Sequence, residues 1–293
     1  MTYFQMSPYP DRYRPTEASA FIADVWHRKP FDTRLPHSLA GLGYNFPLVS
    51  MDDCGIQTMF LQNYYSEENK KIHFSRQQAS RFAKEIAGDF NPIHDPEAKR
   101  FCVPGDLLFA LVMSKYGLSQ RMRFTFSELV SDEVLLSLPD SVSAELDIDG
   151  DTGKTYLSLF REGDTSDDQN LIRDLTTSYV RFSGQTFPHI LVPLMSDNGV
   201  MINPDRPLVI YESMAINLER LDITDPQLEL TGSSLEVRGK RGAVHLEFQL
   251  KASETIVGKG EKNMILSGLR AFDADKVETL VADYTRRKQT YVS

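Results

Sequence analysis

The 293-residue chain has little of what staples a fold, crosses a membrane or grips nucleic acid. It has two cysteines, Cys54 and Cys102, far apart in sequence. They form neither a disulfide framework nor a zinc-ligand spacing, which points to a reducing compartment. No apolar run approaches the roughly 20 residues of a membrane-spanning helix. No basic region followed by an apolar core opens the chain, so no secretory signal is expected and a cytoplasmic location is. Runs of lysine and arginine are missing, and the net charge is −9. A nucleic-acid or anionic-membrane surface would need a basic patch, so neither partner is expected. Arg286, Arg287 and Lys288 read as the cationic last turn of a helix. His73, His189 and His245 lie in separate segments without ligand spacing, so no metal site is expected.

What is present is an ordinary apolar content of 41%, enough for one large domain or two small ones. Residues 1–58 differ from the rest. They hold Pro8, Pro10, Pro15, Pro30, Pro36 and Pro47 and the single Trp26, with one helix expected over Glu17–His27. The segment reads as an irregular N-terminal extension, or as sequence upstream of the true start. From Met59 the chain has the pattern of a compact protein.

Ser75 and Gln78 form a capping box, and Ala79, Phe82, Ala83 and Ile86 follow as one helical stripe that Gly88 should end. A second helix is expected from Pro104 to Tyr116, stopped by Gly117 and apolar on all sides, hence buried. Strand-like runs follow at Val134–Leu138, Ser141–Asp147, Thr155–Phe160 and Leu171–Phe182. Phe187–Met195 should be a short helix. Leu208–Leu218, Gln227–Arg238, Ala243–Ser253 and Asn263–Phe272 look like four antiparallel strands, and Ala274–Lys288 like a closing helix with Val277, Leu280, Val281 and Tyr284 on its stripe. Long antiparallel strands about a buried helix make an α+β fold. The repetition suggests two halves, 59–185 and 186–293, the second degenerate because it shows no long central helix.

The most specific string is Gly88-Asp-Phe-Asn-Pro-Ile-His94. At ordinary residue usage such a block arises by chance in roughly one chain of this length in a hundred thousand. A helix C-cap and an Asx turn would explain Gly88, Asp89, Asn91 and Pro92, but they do not require His94. A carboxylate and an imidazole that converge on one water are what acid–base addition or elimination needs.

The block resembles the signature of the R-specific enoyl-CoA hydratases, the MaoC-like branch of the hot-dog fold, over residues 60–185. It also resembles an uncharacterised bacterial family of unknown function with the same block. The hydratase resemblance implies a hot-dog fold, here a tandem one with a degenerate second half. It implies a hydratase or dehydratase acting on an acyl thioester such as an acyl-CoA, without metal or redox cofactor. Asp89 would activate water for attack at C3, and His94 would pass a proton to C2. Asn91 would orient the neighbouring groups, and the Gly105 amide, with no Cβ in the way, would meet the thioester carbonyl. A homodimer and a pseudo-dimeric monomer both suit such a fold. Between Asp95 and Asp106 the chain departs from the signature: Asp95 follows His94 directly, and Pro104 stands where a second histidine is usual. Two alternatives are an acyl-CoA-binding module without turnover and a hot-dog thioesterase using Asp106 or Asp89. Asp106 itself sits where a helix start favours negative charge.

Two further strings are decoys. Gly150–Thr155 lacks the first glycine of a phosphate-binding loop and runs into a strand pattern. Asp147, Asp149 and Asp151 lack the glycine and glutamate of a calcium loop.

Overall fold

The computed structural model describes residues 61–292. The helix expected over Glu17–His27, and Cys54, lie outside the described residues. Two short strands, β1 (Ser66–Glu68) and β2 (Lys71–His73), precede helix α1 (Arg76–Arg81), which runs straight into a π-helical turn, Phe82–Ala87. The capping box is formed as expected: Ser75 Oγ accepts from Gln78 N and Gln78 Oε1 from Ser75 N. Gly88 ends the turn in the left-handed conformation, φ 66°. Helix α2 (Gly105–Tyr116) follows, buried from Asp106 through Met113.

Strand β3 (Leu118–Phe126), which the sequence reading leaves unassigned, comes next. It is followed by β4 (Leu136–Ser137), β5 (Glu145–Gly150) and β6 (Thr155–Ser166). Val142 was expected on an alternating strand, but pairing starts only at Glu145 and Val142 is exposed.

Residues 171–182, expected as a strand, lie in helix α3 (Gln169–Gly184). Their β-branched and aromatic run, Thr176 to Phe182, favours a strand by local preference. Yet Leu171, Ile172, Leu175, Tyr179 and Val180 fall at helical spacing and are all buried, so tertiary packing overrides propensity. Asp168, read as part of a solvated acidic loop, caps this helix by accepting from the Asn170 and Leu171 amides. A long helix therefore stands between β6 and the strands that follow it.

Two short helices, α4 (Thr186–His189) and α5 (Leu191–Asp197), occupy the expected short helical segment. Then come β7 (Val200–Met201), β8 (Val209–Leu218), β9 (Gln227–Arg238), β10 (Arg241–Ala252), β11 (Thr255–Ser267), β12 (Arg270–Ala271) and helix α6 (Ala274–Val292).

Ten strands form one antiparallel sheet in the order β1-β2-β4-β5-β6-β3-β8-β11-β10-β9. β7 and β12 pair separately. The four strands nearest the β3–β8 seam on each side run in the same order, first strand at the seam and then fourth, third and second, with β2 and β1 added beyond β4. At the seam Met122 faces Ile216 and Phe124 faces Met214. The sheet backs a buried helix: the Phe109 ring of α2 lies 5.0 Å from Phe124 on β3 and 4.7 Å from Tyr179 on α3. This is the α+β arrangement expected, long antiparallel strands about a buried helix. β10 links two cores along one face, Val244 and Leu246 in one and Phe248 and Leu250 in the other. Among the described residues no helix is long and apolar enough to cross a membrane.

The end of α3 meets the end of the π-helical turn so closely that a Cβ on Gly184 would run into the Ala87 carbonyl. Gly184→Ala should therefore destabilise the fold by about 1–3 kcal/mol, the usual cost of overpacking. A denaturant midpoint equal to wild type would refute that close approach.

Candidate functional site

The motif leaves the π-helical turn as a short, internally bonded loop. The Asp89 amide donates to Ala83 O at 2.8 Å, and Asp89 Oδ1 accepts from the Asn91 amide at 2.8 Å. Asn91 Oδ1 accepts from the Ile93 amide at 3.2 Å and caps a single 3₁₀ turn, Pro92–His94. Asn91 therefore shapes the loop, with its amide oxygen already engaged by backbone.

Helix α6 clamps this loop from outside. The Tyr284 hydroxyl accepts from the Phe90 amide at 3.4 Å and donates to Gly88 O at 3.1 Å, with Gly184 O 3.3 Å away. Burial, and then the nearby Asp89, push this phenol's pKa up, so it stays a donor. Asp95 is absorbed by structure. Lys84 Nζ reaches its Oδ1 at 2.7 Å and Arg287 Nη1 its Oδ2 at 2.6 Å. Arg287, expected to offer only a helix-terminal charge, thus ties α6 to the loop.

His94 Nδ1 lies 2.6 Å from Cys102 O. A carbonyl only accepts, so Nδ1 carries the proton and Nε2 is left facing Asp89 Oδ2 at 3.5 Å. That gap is too long for a strong direct hydrogen bond and short enough for both groups to share one water or hydroxyl. Burial works against a charge on His94. The hydrogen-bonding and charge of Asp89, the Cys102 carbonyl and the Asp106 charge outweigh it, and its pKa rises. Cys102 is no nucleophile here: burial pushes its thiol up to about 12.

Asp89, Asn91, His94, Gly105 and Asp106 all line one cavity of about 400 Å³. The structure thus brings together every site residue read from the sequence. One detail differs. Gly105 lines the cavity, but on its side-chain side a Cβ would lie 2.7 Å from Cδ1 of Tyr211 on β8. The glycine makes room for that ring.

Asp106, 7% exposed, starts helix α2, and Ser183 Oγ on α3 reaches both its oxygens, at 2.8 and 2.6 Å. Burial raises the Asp106 pKa, while Lys262 and Ser183 oppose the rise. Lys262 on β11 donates to the same Ser183 Oγ and stands 4.3 Å from the Tyr211 ring centroid. Burial lowers its pKa, against the pull of Asp106 and Asp89. The Tyr211 and Tyr179 hydroxyls bond each other behind it. The sequence reading missed Lys262 and Ser183. Lys262 had a signal, since it takes the inward phase that Met264 and Leu266 share on β11. Ser183 had none once its helix was read as a strand. Among the described residues no group of three or more histidines, cysteines and carboxylates could hold a metal ion.

The fold and site together define an α+β protein with a carboxylate–imidazole pair lining a largely apolar cavity. Residues 59–275 match the family described as a protein of unknown function, DUF3581, and the chain belongs to that family. No curated protein matches its sequence. Among solved structures it is similar to a putative thioesterase II from Thermobifida fusca YX, at 9% identity over 72% of this chain and 98% of that one, TM-score 0.38. It is similar to a MaoC-like dehydratase, at 9% identity over 70% and 98%, TM-score 0.35. A conserved protein of unknown function with a hot dog fold from Alicyclobacillus acidocaldarius gives 8% identity over 71% and 97%, TM-score 0.36.

A raised folded pKa means that His94 contributes stability fully present below its ordinary 6.5 and lost as pH rises through the raised value. The His94 ring resonance should therefore titrate above 6.5 in NMR spectra, and Asp89→Asn should lower its midpoint. A midpoint that does not move in the variant would refute the pairing.

Proposed function

We propose that the protein is a hydratase or dehydratase of acyl thioesters, enoyl-CoA or 3-hydroxyacyl-CoA, working by acid–base chemistry. The observation that carries this reading is the Asp89 carboxylate facing His94 Nε2 at 3.5 Å inside the cavity, with the opposite imidazole nitrogen locked by a carbonyl. In the hydration direction a water held by both groups from the cavity side loses a proton to the pair. Its oxygen bonds C3, and the C2–C3 electrons move toward the thioester oxygen as an enolate. The enolate collapses as His94 returns a proton to C2, so one water is added and no electron is lost. Apolar walls at Leu108, Phe126, Val130 and Met264 would take the acyl chain and exclude bulk water.

The repeated strand order supports a tandem hot-dog in which α2 and α3 are the central helices of the two halves. The β3–β8 seam lies within one chain, which favours a pseudo-dimeric monomer. A second reading, a thioesterase, is favoured by Asp106, a buried carboxylate in the same cavity held by Ser183.

Mixed with crotonyl-CoA, the protein should bleach the conjugated-thioester absorbance. Asp89→Asn and His94→Ala should each slow this by about 10²–10⁴-fold, the usual worth of a general acid or base. Release of free thiol instead would favour the thioesterase. Tight binding of acyl-CoA without either reaction would leave a binding module, and absence of binding would refute all three.

A further inference from the structure

The pair Asp89 and His94 moves protons, but an enolate also needs a donor for its oxygen. In the resemblance this falls to the amide at the start of the central helix. Here the Tyr211 ring takes the side of Gly105 where a Cβ would stand, with Phe126 Cε1 next at 3.4 Å from that position. The same cavity is lined by a lysine. Lys262 is only 4% exposed. Among the described residues its hydrogen-bond partner is the neutral Ser183 Oγ, and no carboxylate stands at ion-pair distance from it. An ammonium has three donors. Asp106 and Asp89 act on it through space only. A buried cation with donors to spare, held beside two carboxylates and one histidine, is an unfinished electrostatic arrangement that an incoming oxyanion would complete.

We propose that Lys262 is a catalytic residue of this site: its ammonium donates a hydrogen bond to the thioester carbonyl oxygen and carries the enolate charge as it forms. The inference rests on the acyl-thioester reading above. Ser183 and Asp106 are positioning residues. Ser183 accepts from Lys262 and donates to Asp106, which fixes the ammonium without neutralising it at contact. Lys262 keeps its proton throughout, so the balance of the hydration is unchanged. Burial weakens its hold on that proton, which strengthens a hydrogen bond to a developing enolate.

The test uses acetoacetyl-CoA, a ligand that cannot be hydrated and whose enolate absorbs in the near ultraviolet. Full-length wild type should bind it, measured by calorimetry, and raise its enolate band. Lys262→Met should bind within a few-fold of wild type but lose the band. It should cut kcat for crotonyl-CoA by about 10²–10³-fold with KM little changed, as loss of one oxyanion donor does. Ser183→Ala should show a smaller loss of both. A Lys262→Met protein that melts like wild type and keeps the band and kcat overturns the inference and leaves the hydratase reading standing. Wild type that neither binds nor hydrates overturns both. Should Lys262→Met not fold, Ser183→Ala decides: an unchanged band with unchanged kcat overturns the inference.

Discussion

Helix α2 has no face that water would tolerate, and the rest of the molecule is arranged to cover it. From Asp106 to Met113 every residue is buried, so sheet and helices must close around it on all sides. The Phe109 ring meets Phe124 of the sheet and Tyr179 of α3 in one contact cluster. At its C-terminal end Ser114 and Lys115 reach solvent. The N-terminus of α2 opens at the base of the cavity, where the helix dipole and Asp106 meet the motif loop. The site thus lies at the N-terminal end of the buried helix.

The motif loop is short and depends on support from far along the chain. Tyr284, on the last helix, holds Gly88 O and the Phe90 amide. Arg287, one turn further, holds Asp95. Gly184, at the end of α3, lets that helix abut the Ala87 carbonyl. Three remote residues therefore brace a loop whose own hydrogen bonds, with the Cys102 carbonyl, orient Asp89 and His94. Support of this kind holds the carboxylate and the imidazole 3.5 Å apart, within reach of one water.

Much of this was legible in the sequence. Ser75, Gln78 and Gly88 marked the ends of α1 and its π-helical extension, because capping is local chemistry. Gln227–Arg238 matches its strand to the residue, because the turn Arg238-Gly-Lys-Arg-Gly242 that ends it is local chemistry. α3 was not legible. Thr176, Thr177, Tyr179, Val180 and Phe182 prefer strands locally, and only burial against α2 makes the helix the better solution. Misreading it also hid Ser183, and with it the partner shared by Asp106 and Lys262.

By itself the sequence determined the motif loop, the buried helix and the α+β class, since turns, caps and periodicity act over a few residues. The tertiary structure alone decided that Lys262, Ser183 and Tyr211 converge on that loop, that Tyr211 takes the space beside Gly105, and that both sets of four strands share one order. Those contacts join residues separated by whole elements. Their energies come from desolvation and close packing, which exist only once the chain has closed on itself.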